Sequence, residues 1–156
     1  MNKNPPKPHY HVAAGLIWQD GKVLITKRPE GTHLAGLWEF PGGKQEPYET
    51  LRTCLERELR EELGIKVRVD RHFISVDYEY DTKSITLHVF HCTGLTGRPV
   101  ALEGQESRWV DPAGLHRYTF PPPDKAVIEA LKSENGAENS SGPPHTRACR
   151  QLLQKK

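Results

Sequence analysis

Apolar positions fall in short blocks near the start of the chain, then recur at every fourth residue, then return to short blocks. Val12–Gln19 and Lys22–Lys27 are apolar, β-rich runs separated by Asp20-Gly21. That dipeptide is the strongest short hairpin signal, because both positions accept positive φ. Leu37–Phe40 predicts a short strand entering a Gly loop. From Glu49 to Leu63 there is no Pro or Gly, and Leu51, Leu55, Leu59 and Leu63 recur at i+4, predicting a helix with a buried stripe. Gly64 follows and suits a left-handed helix stop. Lys66–Tyr80 and Ser84–Cys92, rich in Val, Ile, Phe and Tyr, predict two more strands joined by a turn at Asp81-Thr82-Lys83. Arg108–Val110 reads as another strand. Pro121-Pro122-Pro123 breaks the chain, and Asp124 is expected to cap a helix through Leu131. Strands flanking two helices, without regular βαβ alternation, predict an α+β sandwich with a mixed sheet.

One domain is expected from 156 residues. Residues 9–132 carry the apolar pattern. Residues 1–8 read as a flexible N-terminal arm, and 133–156 as a polar tail with little fixed structure. A helix over Arg147–Gln154 has no support from the pattern. The formal net charge of +2 gives no electrostatic case for duplex nucleic acid. Cys54, Cys92 and Cys149 are an odd number without metal spacing, and the first two read as buried thiols. No apolar run reaches membrane length and no signal-peptide core is present, so a cytoplasmic monomer is the expectation.

Glu58, Glu61 and Glu62 stand at i, i+3 and i+4 and share one helical face beside the Leu stripe. Like charges at that spacing destabilise a helix unless something positive sits between them. One reading is a solvated acidic face laced with Arg52, Arg57 and Arg60. The other is a hard divalent cation such as magnesium, which takes oxygen ligands and keeps waters. The preceding Pro41-Gly42-Gly43 favours the second, because a Gly pair lets backbone approach a ligand closely.

Counted from Gly43, the chain reads Gly, five free positions, Glu49, seven free positions, Arg57-Glu58-Leu59, one free position, Glu61-Glu62, one free position, Gly64 and Ile65. This fills the Nudix box, and the chain resembles a Nudix hydrolase. The segments AGLWEFPGGK and EGQESRW…FPPPD…VIEAL extend the resemblance to the MutT branch, the oxidised-guanine nucleotide sanitisers, over Val12–Leu131. The resemblance implies an α/β/α sandwich and a Mg2+-dependent enzyme, with Mn2+ as a substitute. Its implied substrate is a nucleoside triphosphate, cleaved to a monophosphate and pyrophosphate, and its implied role is replication fidelity through cleaning of the nucleotide pool. Glu58, Glu61, Glu62 and the Gly42 carbonyl would hold the metal. Arg57 would orient a catalytic carboxylate, and Glu103 would approach the metal or the attacking water. Arg28 would meet the triphosphate, His33 would lie near the nucleotide, and Glu39, Phe40, Pro41 and Gly42 would border it. Glu58 and Glu103 are alternative general bases. Glu106 lies near Glu103 and shares its carboxylate chemistry.

One departure concerns the base. The MutT branch has Asn after the FPP turn, whereas this chain has Asp124. An ionised Asp accepts only, whereas an Asn amide both donates and accepts. Asp124 therefore suits 8-oxoguanine when protonated and a cytosine amine when ionised, or it serves only as a helix cap. Relatives acting on CTP or modified pyrimidine nucleotides remain an alternative, as does a non-catalytic base-recognition module, which would not need Arg57 and the three box glutamates together.

Overall fold

The computed structural model of the chain describes residues 6–138, with side chains through Glu134. Residues 1–5, 139–156, Cys149 and the Arg147–Gln154 segment lie outside the described residues. The described elements are β1 (His9–Gln19), β2 (Lys22–Lys27), β3 (Trp38–Glu39), β4 (Gly42–Lys44), α1 (Leu51–Leu63), β5 (Lys66–Glu79), β6 (Ser84–Thr96), β7 (Ser107–Val110), a short 3-10 helix (Pro112–Arg117) and α2 (Pro122–Glu138). The sheet runs β3-β2-β1-β6-β5, with β4 on β1 and β7 on β2. β1 and β6 are parallel and the other pairs antiparallel, so the sheet is mixed, as expected.

Side-chain alternation along the strands separates two cores. Ala13, Ile17, Phe90 and Cys92 face α1 and meet Leu55, Leu59 and Leu63. Ala14, Leu16, Leu87 and Val89 face the other way and meet Val127, Ile128 and Leu131 of α2. Each fully buried leucine of the α1 stripe contributes about 1.5–3 kcal/mol. The α1 ends follow local chemistry. Thr50 caps the start by accepting from the Thr53 N–H at 3.1 Å, and Gly64 at φ 64° ends the helix with its N–H on Arg60 O. The Asp20-Gly21 turn has φ values of 52° and 75°, as the hairpin signal requires.

Three expectations change. The Gly loop after Phe40 is strand β4, paired with Val12, Ala13 and Ala14 of β1. The Pro run does not stop the chain short of the helix: Pro122 and Pro123 occupy the first turn of α2, where a missing N–H costs nothing. Asp124 is therefore the third helical residue, and its Oδ2 accepts from the Phe40 N–H at 3.2 Å across the domain. Finally, α2 runs past Leu131 to Glu138. Its Glu134 pairs with Arg71 of β5 at 3.2 Å, a tertiary contact that polar composition does not reveal.

Candidate active site

β4 presses the Gly pair against both β1 and α1. A Cβ on Gly42 would lie 1.9 Å from Ala13 O, and one on Gly43 would lie 2.2 Å from Glu58 Cδ. Only glycine permits both approaches at once. The box helix thus brings its Glu58 carboxylate onto the β4 backbone.

Arg57 holds that carboxylate. Its guanidinium donates to both Glu49 oxygens at 2.7 and 3.0 Å, to Glu58 Oε1 at 2.9 Å, to Glu61 Oε2 at 3.2 Å and to Lys44 O at 3.2 Å. The bidentate pair with Glu49 fixes the fork, as planar guanidinium chemistry favours. The hydrogen bond from Arg57 holds Glu49 down at about 2, and the same bond pushes Arg57 above its ordinary range. Glu61, with a half-exposed side chain, turns toward Arg57.

Glu58 and Glu62 hydrogen-bond to each other. Burial first, then the charges of Glu58, Glu39 and Glu103, pushes Glu62 up to about 9. Glu58 is also raised, chiefly by burial. Burial therefore favours a proton on this pair, with the charges of Glu39 and Glu103 acting on Glu62 and that of Glu61 on Glu58, and this donor set suits a hard divalent cation. No three His, Cys, Asp or Glu side chains stand together in a coordination geometry among the described residues. Glu103 is exposed on the loop before β7. Its N–H donates to the buried Gln105 Oε1 at 3.2 Å, and the neighbouring Leu102 N–H donates to Glu62 O at 3.1 Å. Glu106 instead pairs with Arg108 at 2.8 Å, and its carbonyl accepts from the Lys27 N–H.

A cleft opens on the α2 side of β1, lined among others by Arg28, His33, Glu39, Phe40, Gly42 and Asp124. Six of the seven residues expected around a nucleotide therefore meet there. Pro41 is the exception among the lining residues, since it is buried and its carbonyl accepts from the Gly15 N–H at 2.9 Å. Arg28 bridges Glu39 Oε2 at 2.9 Å and donates to His33 O at 2.5 Å. Phe40 stacks on Phe120 at 5.5 Å between ring centres. Burial, with Glu39 nearby, pushes Asp124 up to about 8, so its carboxyl is protonated at neutral pH and can donate. Tyr80, Lys83 and Lys44 also line the cleft and escaped the sequence reading. Tyr80 packs edge-on against His33 at 5.0 Å. Burial, followed by Lys44 and Arg28, lowers Lys83. Nothing in the Asp81-Thr82-Lys83 turn signals that it faces β4. Cys54 and Cys92 are buried free thiols, each pushed up to about 12 by burial, so neither is a nucleophile.

Carboxylates that call for a cation, beside a cleft that supplies Arg and Lys, match an enzyme acting on phosphate anhydrides. The chain belongs to the Nudix family: the NUDIX domain model matches residues 13–130. It is a Nudix hydrolase of MutT type. It is 40% identical over 126 residues to a CTP pyrophosphohydrolase of Escherichia coli, covering 81% of this chain and 93% of that one. It is 38% identical over 124 residues to an 8-oxo-dGTP diphosphatase of Haemophilus influenzae, covering 79% and 91%. The solved structure of MutT from Aliivibrio salmonicida and Vibrio cholerae superposes with a TM-score of 0.67 at 34% identity, covering 79% and 96%. Among the described residues no helix is long and apolar enough to cross a membrane.

Proposed function

We propose that this protein is a Mg2+-dependent nucleoside triphosphate pyrophosphohydrolase whose preferred substrate is 8-oxo-dGTP. The observation that carries the reading is the desolvated Glu58–Glu62 pair, held by Arg57 against the β4 backbone that also walls the cleft. Glu58, Glu62, Glu61, Glu103 and the Gly42 carbonyl are the groups that would hold the metal. Bound there, Mg2+ would neutralise phosphate charge. Arg28, Lys44 and Lys83 balance the polyphosphate from the cleft side. A water oxygen bonds to the β-phosphorus, the bond to the α–β bridging oxygen breaks, and nucleoside monophosphate and pyrophosphate leave. The water's proton passes to Glu58 or Glu103. Arg57 keeps Glu58 aimed at the site, and Gln105 holds the backbone of Glu103. The base lies toward Phe40 and Asp124, whose protonated carboxyl donates to O6 of an oxidised guanine. The same reading takes the protein as a monomer that works in the cytoplasm, where nucleoside triphosphates are consumed.

A second reading, CTP or a modified pyrimidine nucleotide, draws on Asp124 in place of Asn and on the 40% identical CTP pyrophosphohydrolase. Steady-state kinetics over 8-oxo-dGTP, dGTP, CTP and 5-substituted dCTP with Mg2+ decide between them. The highest kcat/KM is expected for 8-oxo-dGTP. A higher value for CTP gives the second reading, and no pyrophosphate from any of them rejects both.

A further inference from the structure

His11 of β1 and His88 of β6 stand diagonally across parallel strands, outside the cleft. His11 shares its face with Ala13, and His88 shares its face with Phe90 and Cys92, which is the side of the sheet that α1 covers farther along. At this end of the sheet His11 is exposed and His88 half-buried. His11 Nδ1 and His88 Nε2 are 3.0 Å apart, with ring planes 24° from parallel. The other His88 nitrogen lies 2.9 Å from Ser75 Oγ, and that hydroxyl lies 2.8 Å from His72 Nε2. His9 completes the group, with its ring centre 5.0 Å from that of His11. Burial, and then the charges of His11 and His72, hold His88 below its ordinary value, so it keeps a lone pair at neutral pH.

At this separation the two nitrogens share a proton in an N–H···N hydrogen bond, and once both are deprotonated a small turn of the rings lets both lone pairs converge on one cation beside the N···N line. Nitrogens bound cis to a single ion at about 2.0–2.1 Å stand about 3 Å apart, the separation found here. Imidazole suits Zn2+ and Ni2+, whereas Mg2+ prefers oxygen, so this chemistry differs from that of the box carboxylates. We propose that His11 and His88 form a two-imidazole site for a Zn2+- or Ni2+-class ion, with the Ser75 hydroxyl orienting the His88 ring from behind. No third ligand joins them in coordination geometry among the described residues, so water completes the shell. A hydrogen-bonded partner behind a ligating histidine is the usual way its ring is fixed.

The test titrates the full-length protein with Ni2+ at pH 7.5 in excess Mg2+, which keeps the carboxylate site filled. Calorimetry and thermal unfolding are the readouts. Wild type is expected to bind with a raised Tm, and binding should weaken as pH falls, because protons compete with the ion for the ligating nitrogens. His11→Asn and His88→Asn should each weaken binding by roughly tenfold or more, and Ser75→Ala by a smaller factor, within the roughly 10–100-fold range of such partners. His116→Asn, on the distant 3-10 helix, should bind as wild type. Wild-type Ni2+ affinity in folded His11→Asn and His88→Asn proteins would overturn the proposal, as would the absence of any Ni2+ binding by wild type. If neither asparagine variant folds, His11→Gln and diethylpyrocarbonate protection of His11 and His88 by Ni2+ replace them, and unprotected rings reject the site.

Discussion

The Glu58 carboxylate stands where a side chain of Gly43 would be: a Cβ on Gly43 would lie 2.2 Å from Glu58 Cδ and 2.4 Å from Oε2. Gly43 is on β4 and Glu58 on α1, so the position of this carboxylate depends on how closely strand and helix approach. Arg57 fixes the approach from the other side by tying Glu58 to Glu49 and to the Lys44 carbonyl.

Gly43→Ala should therefore displace Glu58 without unfolding the domain, because the obstructing atoms are the far end of a flexible side chain. Turnover is expected to fall by roughly 10²-fold or more, the range for a misplaced catalytic group. Circular dichroism and Tm should stay close to wild type. Wild-type turnover would show that Glu58 need not touch the β4 backbone.

Glu62→Gln should separate stability from activity. The Glu62 carboxyl is pushed up to about 9, so the folded state binds its proton more tightly than the unfolded state does. A raised acid pKa makes stability fall as pH rises from the ordinary carboxylate range toward about 9. In metal-free buffer at pH 7.5 the neutral Gln should thus stabilise the fold, by ~1 kcal/mol or more. Turnover with Mg2+ should fall by roughly 10²–10⁴-fold. Mg2+ should raise the Tm of wild type more than that of the variant. An active variant with unchanged Tm would remove Glu62 from the metal cage.

Asp124 should give the pH profile a basic limb. Burial pushes its carboxyl up to about 8, so the O–H donor present at pH 7 should be lost at higher pH. Losing one polar contact to the base costs about 1–3 kcal/mol, or roughly tenfold in kcat/KM at the low end. Asp124→Asn retains a donor and should flatten that limb for 8-oxo-dGTP. Comparing both proteins at each pH removes the substrate's own ionisation. Parallel profiles would leave Asp124 as a structural acceptor for the Phe40 N–H.

His91 should make the fold acid-sensitive. Its Nδ1 accepts from Trp18 Nε1 at 3.0 Å, and burial pushes it down to about 4. A base with a lowered folded pKa contributes full stability above its ordinary value near 6.5, and that stability is lost as pH falls toward about 4. Urea titrations should show a loss of roughly 2 kcal/mol between pH 7 and pH 5 that His91→Gln abolishes. An equal loss in the variant would assign the acid sensitivity to other groups.

The sequence by itself determined most of the elements and the family to which the chain belongs. The i+4 leucines, the Asp20-Gly21 turn and the Gly64 stop act over a few residues, so their outcome is local, and the structure reproduces each. Box spacing likewise placed Glu58, Glu61 and Glu62 on one turn, because helical geometry alone fixes that. Tertiary structure decided which carboxylate goes where: Glu61 turns to Arg57, while the half-buried Glu62 turns to Glu58. It also made the Gly loop a strand, carried α2 past Leu131 through the Glu134–Arg71 pair, and turned Asp124 from a cap into a buried acid. Tyr80 and Lys83 entered the cleft the same way, since their turn is remote in sequence from Phe40 and Gly42. The Glu61–Arg57 and Glu62–Glu58 pairs are i,i+4 neighbours sorted by burial, the other outcomes depend on partners far along the chain, and desolvation is a property of the packed interior that no local pattern encodes.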